Sequence, residues 1–259
     1  MTDICKLNNE AAFCIENKDY QRSIQLLQEA AKQIRVVMTT ATQETSEQQE
    51  SSCADNGASM CRFLTGSKSN LNSCFLDKPS TRNVEETSRY SVFASPIIFN
   101  HVVSLFEPLA FERVSYVLVY NLALAHHCMA IQCENNAAQC SSSSLSEDQR
   151  QAQHALQQKA LVLYEKSHCL LVRASDNWDV SVLHSLSILC NLGHLHHMMG
   201  AEDKSEMCYQ NLLSTICCIV ESRGGAAPAE CDVVTGELLD CFFGSVMPLL
   251  QKGSVAAAA

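Results

Sequence analysis

Glycine and proline are scarce in this 259-residue chain, at nine and five residues. With so few breakers, long regular elements must dominate, and glycine-patterned or loop-rich folds are excluded. Charge is also thin, at 18% of residues, and lopsided, with 18 Lys and Arg against 28 Asp and Glu. The net charge of −10 comes with no basic stripe, which argues against a nucleic-acid or anionic-membrane surface. No run of eighteen apolar residues occurs, so no membrane span is expected. The opening MTDICKLNNEAAF lacks a basic stretch followed by an apolar run, so no secretory leader is expected either. Assembled catalytic motifs are missing as well: there is no Gly-x-Ser-x-Gly elbow, phosphate loop or Gly-x-Gly-x-x-Gly. His127-Cys128 and His168-Cys169 are neighbours in sequence, but adjacent side chains on a helix diverge and cannot act as base and nucleophile. No enzyme and no cofactor is expected.

Cysteine and apolar residues, by contrast, are plentiful: fifteen cysteines, and 47% hydrophobic residues overall. An odd cysteine count, with Cys14, Cys128, Cys169, Cys190, Cys208, Cys217 and Cys218 inside apolar helical patterns, does not read as a disulfide framework. Reduced cysteine at such positions serves as a small core hydrophobe. The expected location is a reducing intracellular compartment, cytoplasmic or nuclear.

Along the chain, apolar residues recur at helical spacing in pairs of segments. Residues 1–44 hold a first pair, broken at Asn17-Lys18-Asp19-Tyr20; its second member carries Ile24, Leu27, Ala31, Ile34 and Met38. Residues 45–89 form a Ser-rich insertion whose composition predicts disorder. An extended segment over 90–108 contains SVFASPIIFN, interrupted by Pro96. Residues 109–174 hold a second pair, with a helix from Leu109 to Gln132, a Ser-rich loop over 134–147 and a capped helix from about Asp148. Residues 175–222 hold a third pair, with Asp176 and Asn177 as candidate caps and Gly200 ending its first helix. An apolar helix over 230–252 closes the chain.

One pattern is written twice. YNLALAHHCM (120–129) and CNLGHLHHMM (190–199) share Asn-Leu, a small residue, two further residues and His-His. The first unit has Ala11 at the small position, Asp19-Tyr20 at the turn, then Ser23, Leu27 and Ala30. The second unit has Leu122-Ala123 and His126, then Ala160, Tyr164 and Ser167. The third has Leu192-Gly193, His196 and Gly200, then Ser205, Tyr209 and Leu212. This spacing resembles the tetratricopeptide repeat (TPR) family, whose helix–turn–helix units run to about 34 residues. The NLALAHH run beside a long Ser-rich insertion is also similar to TPR-like proteins of diatoms. The resemblance implies an all-α fold: an irregular TPR-like α-solenoid of three helix pairs plus a C-terminal capping helix. The departures are the two insertions and the lack of a proline ending each second helix. Under it, His126 and His196 take slots where the family packs a flat ring.

The resemblance further implies a concave groove lined by Asn8, Ala12 and Ile15, by Tyr120, Leu124 and His127, and by Cys190, His194 and His197. Its family use is to bind a peptide or helix of a protein partner. The cationic carboxylate clamp known in co-chaperone members is missing, because those positions hold Asn8, Leu124 and Cys190. The expected function is therefore a non-enzymatic protein–protein interaction scaffold with an apolar or mixed ligand. An alternative is a metal-binding regulatory protein: Cys190, His194 and His197 share a helix face, with His127 or Cys128 approaching from another. No Cys-x-x-Cys or His-Glu-x-x-His accompanies them. Two further alternatives concern apolar segments. Residues 91–100 either lie against the array as an internal ligand or pack over the core. The last helix either caps the stack or makes a dimer contact.

Overall fold

The computed structural model describes residues 2–49, 92–99, 108–139, 146–174, 178–223 and 242–247. Among the described residues every regular element is a helix, so the chain is all-α. The helices are α1 (Thr2–Glu16), α2 (Tyr20–Gln49), α3 (Pro108–Gln139), α4 (Glu147–Ala174), α5 (Trp178–Met198) and α6 (Glu202–Arg223). A short helix over 242–247 follows. Within each sequence-adjacent pair the helices pack on one another, α1 on α2, α3 on α4 and α5 on α6. The pairs meet through α2 on α3, α4 on α5 and α1 on α3.

The buried stripes explain these contacts. On the second helix of each pair, Ser23, Leu27 and Ala30 match Ala160, Tyr164 and Ser167, and Ser205, Tyr209 and Leu212, and all nine are buried. The small residues of the first helices, Ala11, Ala123 and Gly193, are buried too, and Gly193 lies directly against Tyr209. A Cβ built on Gly193 would lie 2.8 Å from the Tyr209 ring, closer than carbon atoms can approach. Ser205 then donates its hydroxyl to the Gly193 carbonyl at 2.8 Å, joining the two backbones. Small on one helix and large on the other is how a close-packed pair fills its shared space. Helix α3 is buried nearly all round from Val114 to Ala130, because it alone packs on α1, α2 and α4. Its 111–136 stretch is long and apolar enough to cross a membrane, contrary to the expectation from sequence, but 72% of its apolar window is buried in the core.

The helix ends follow local chemistry. Both α1 and α5 stop in the same six-residue motif. The Asp19 N–H donates to Cys14 O at 2.9 Å and Lys18 N–H to Ile15 O at 3.0 Å. In α5, Ala201 N–H donates to His196 O at 2.8 Å and Gly200 N–H to His197 O at 2.9 Å. The motif needs a left-handed residue, which is Lys18 (φ 62°) in one case and Gly200 (φ 71°) in the other. Helix α4 opens in a reciprocal cap. Ser146 Oγ accepts from Gln149 N–H at 3.3 Å, and Gln149 Oε1 accepts from Ser146 N–H at 3.1 Å.

Several boundaries differ from the sequence reading. Helix α2 continues to Gln49, into the segment expected to be disordered, because Ala41, Gln43, Glu44 and Glu47 to Gln49 are good helix formers. Helix α3 runs on to Gln139 rather than stopping at Gln132, so most of Glu134 to Gln139 extends the rod instead of looping out. The rest of the 45–89 insertion, the candidate caps Asp176 and Asn177, and most of the 230–252 helix lie outside the described residues. Cysteine placement also needs correction. Cys5, Cys14, Cys128 and Cys190 are buried, but Cys169, Cys217 and Cys218 are exposed, on the faces of α4 and α6 that turn away from their neighbours. Burial pushes the Cys128 thiol up to about 12, consistent with a core hydrophobe rather than a nucleophile.

Two apolar clusters make the core. The larger joins α1 to α4, with Ile97, Phe99 and the α5 residues Ile188 and Leu195. The smaller joins Leu186 and Cys190 of α5, Tyr209, Leu212 and Ile216 of α6, and Phe242 and Val246 of the short helix. The short helix over 242–247 thus packs on α5 and α6. Cys190 also donates its thiol to Ser245 Oγ at 3.4 Å.

Candidate peptide-binding groove

Residues 92–99 carry no regular secondary structure, yet three asparagines from three helices hold them. Asn9 of α1 accepts from the Phe99 N–H at 2.8 Å and donates to the Phe99 carbonyl at 2.7 Å. Asn121 of α3 accepts from the Ile97 N–H at 2.8 Å and donates to the Ile97 carbonyl at 2.7 Å. Asn191 of α5 accepts from the Phe93 N–H at 2.9 Å and donates to the Phe93 carbonyl at 3.1 Å. Each carboxamide offers one acceptor and one donor side by side, as a neighbouring strand would. Each is the residue two before the small position of its unit, Ala11, Ala123 or Gly193.

The geometry fits an extended chain. Packed helices stand about 8–10 Å apart, so two steps from α5 to α1 span roughly 20 Å. Six residues at about 3.3 Å each cover that distance only when stretched out. The segment runs from the third unit to the first. Pro96, which has no N–H, sits where none of the three carboxamides needs one.

The clamps are tied together. Asn121 gives its second N–H to Asn8 Oδ1 at 2.9 Å, while Asn8 donates to the Ile97 carbonyl at 2.9 Å. That carbonyl therefore uses both lone pairs. Asn191 gives its second N–H to the Tyr164 hydroxyl at 3.0 Å. Tyr164 in turn lies 3.5 Å from His127 Nδ1, and His127 Nε2 lies 2.9 Å from His194 Nδ1. One arrangement of protons satisfies this chain: Asn191 donates to Tyr164, Tyr164 to His127, and His127 to His194. It requires both imidazoles to be neutral. Burial first, then the neighbouring imidazole, holds His127 well below its ordinary value. Burial first, then His197, lowers His194 to about 4. Removal from water disfavours the charged ring.

Side chains of the segment fill apolar space. Ile97 and Phe99 are buried in the larger cluster, with Val92 packed against it. The Phe93 ring stands 4.9 Å from that of Phe242, so the segment also touches the C-terminal helix. Ala94 remains exposed.

Of the residues expected to line a groove, Asn8 makes a hydrogen bond to the segment. Ala12, Ile15, Tyr120, Leu124 and Cys190 are buried, the first four on α1 and α3 and the last on α5. His127 and His194 face each other beneath the segment. His197 is half-buried and pairs its Nδ1 with Glu202 Oε1 at 2.9 Å. The two imidazoles nearest a prospective metal thus direct their nitrogens at one another. No group of three or more His, Cys, Asp or Glu able to hold a metal exists among the described residues. His126 is buried as its slot requires, but its Nδ1 has no partner, and burial followed by the Lys159 charge lowers it to about 4.

The asparagines at 9, 121 and 191 were missed as site residues. The signal was in plain view, since two of them open the repeated Asn-Leu pattern and the third stands at the same offset from Ala11. Family-wide positions pointed one residue earlier, to Asn8, Tyr120 and Cys190. No family model, curated protein or solved structure matches this chain.

Proposed function

We propose that the chain is an irregular TPR-like α-solenoid of three helix pairs with a capping helix, and that it acts as a non-enzymatic interaction scaffold. Its groove grips extended polypeptide by the backbone. The observation that carries this reading is the asparagine ladder: one residue type, at one position of each unit, holding both main-chain groups of a single residue in a non-helical segment. A fold with no ligand to hold has no use for three such carboxamides in register, since each buried amide costs free energy unless fully paired. In support of a repeat array, the nine matched second-helix positions and the three small positions are all buried, and Gly193 lies against Tyr209. The neutral, imidazole-rich floor favours a partner without charge. Of the two alternatives for residues 91–100, the internal ligand is the one the ladder favours.

The test is an array of immobilised peptides probed with the intact protein and with the Asn9→Ala, Asn121→Ala, Asn191→Ala triple variant. The wild type should retain a set of extended peptides that the variant loses while keeping its helical circular dichroism. Retention of no peptide, or of the same peptides by both proteins, would overturn the proposal.

A further inference from the structure

Resting on that scaffold reading, we infer that the groove takes from another protein an extended, uncharged peptide with apolar residues at positions i, i+4 and i+6, and that residues 92–99 are its stand-in within the chain, displaced when the partner binds.

The pattern comes from what is held and how. Backbone groups are gripped at Phe93, Ile97 and Phe99, which sets the register and forbids proline at those three places. The same residues pack their side chains, Phe93 on Phe242 and Ile97 with Phe99 in the larger cluster, with Val92 lying against that cluster as well. Between them Ala94 is exposed and Ser95 and Pro96 are only half-buried, so those positions are read loosely. Proline at i+3 is compatible because no clamp uses its nitrogen, and it holds the preceding residue extended. Polarity is fixed as well: the amino end of the peptide lies on α5 and its carboxyl end on α1.

Charge points the same way. SVFASPIIFN contains no ionisable side chain. The groups that touch it are carboxamides, aromatic rings and aliphatic chains, backed by two histidines held neutral by burial. A buried carboxylate or ammonium would find no counter-charge there.

The segment is exchangeable in form. It belongs to none of the helices, it presents one side to solvent, and carboxamides that bind backbone do not distinguish its chain from another. What favours the internal copy is tethering, which acts as a millimolar effective concentration. A partner must therefore outcompete it, and the scaffold rests closed.

The probe is a labelled, capped SVFASPIIFN peptide, followed by fluorescence anisotropy. The host is the full chain carrying Phe93→Ser, Ile97→Ser and Phe99→Ser. We expect saturable one-to-one binding to this host, at least about tenfold tighter than to the wild-type chain, in which the tethered copy competes. Adding Asn121→Ala to the host should weaken binding at least about tenfold, and so should proline at the Ile97 position of the peptide. If a scrambled or reversed peptide binds equally well, the recognition pattern is wrong while the scaffold reading stands. If a folded host binds no peptide of any sequence, both fall. Should the host not fold, hydrogen exchange of the wild-type chain decides. Phe93, Ile97 and Phe99 amides exchanging at least about tenfold faster than those of Leu124 and Leu186 support release of the segment. Exchange at the same rate makes the segment a fixed part of the core and overturns the inference.

Discussion

His127 Nε2 and His194 Nδ1 meet at 2.9 Å, so α3 and α5 are joined by a hydrogen bond between residues that the repeated sequence pattern does not make equivalent. His127 occupies the last position of its His-His pair, whereas His194 stands two positions before the His196-His197 pair. The contact needs a bare nitrogen on one of the two rings, so both cannot be protonated while it stands.

Acid should therefore loosen the molecule. His126, His184 and His194 are lowered to about 4 and His127 is held well below its ordinary value, in each case chiefly by burial. The unfolded histidines titrate near 6.5. A depressed folded value means that the stabilising contribution is fully present above about 6.5 and is lost as pH falls from there toward 4. Each of these groups adds about 1.4 kcal/mol per pH unit in that window. Urea midpoints measured between pH 7.5 and 5 should fall steeply; a flat profile would mean that the rings are hydrated.

Asn121 should be sensitive to the loss of a single N–H pair. Asn121→Ala strands the Ile97 N–H and the Asn8 side-chain oxygen and leaves the Ile97 carbonyl with Asn8 as its remaining donor, at a cost of about 2–3 kcal/mol. The isosteric Asn121→Asp keeps the acceptor but sets a carboxylate against the Ile97 carbonyl, so it should rescue nothing. Chemical denaturation of the three proteins settles this; an aspartate variant as stable as wild type would show that donation does not matter.

Gly193→Ala should destabilise by about 1–2 kcal/mol. The added methyl must displace the buried Tyr209 ring, an overpacking cost that exceeds the roughly 1 kcal/mol which alanine gains in a helix. The double change Gly193→Ala, Tyr209→Leu should recover part of the loss in thermal melts. A silent Gly193→Ala would place the two helices farther apart than described.

Lys18→Gly should do the reverse. Lys18 is exposed and left-handed at φ 62°, a conformation costing a non-glycine residue roughly 1 kcal/mol. Relief of that strain outweighs the added freedom of the unfolded glycine, so a rise in melting temperature of a few degrees is expected. Gly200→Ala, at the matching turn, should lower it by a similar amount, although nothing crowds its Cβ.

Much of this was legible before any coordinates. Steps of three and four placed α1, α2 and α4 to α6, because a single apolar stripe leaves a clear period. Matching small residues with the large ones at 27, 164 and 209 worked for the same reason: size complementarity acts within one helix pair and is written locally. The ends of α2 and α3 were misjudged, since polar or small residues such as Gln43 and Ala138 leave no apolar stripe but keep good helix propensity. The clamps were harder. An asparagine inside a helix reads as neutral filler until the segment that it holds is known, and that segment pairs with residues 24 to 98 positions away. Nothing in a sequence window connects Phe93 with Asn191.

A stack of modules usually frays from whichever end is weaker, since each module leans only on its neighbours. Here one short stretch is fastened to α1, α3 and α5 at once and touches the short helix over 242–247 through Phe93 and Phe242. It works like a drawstring. A tie of that kind couples helices that are far apart in sequence, so that loosening one end would pull on the other.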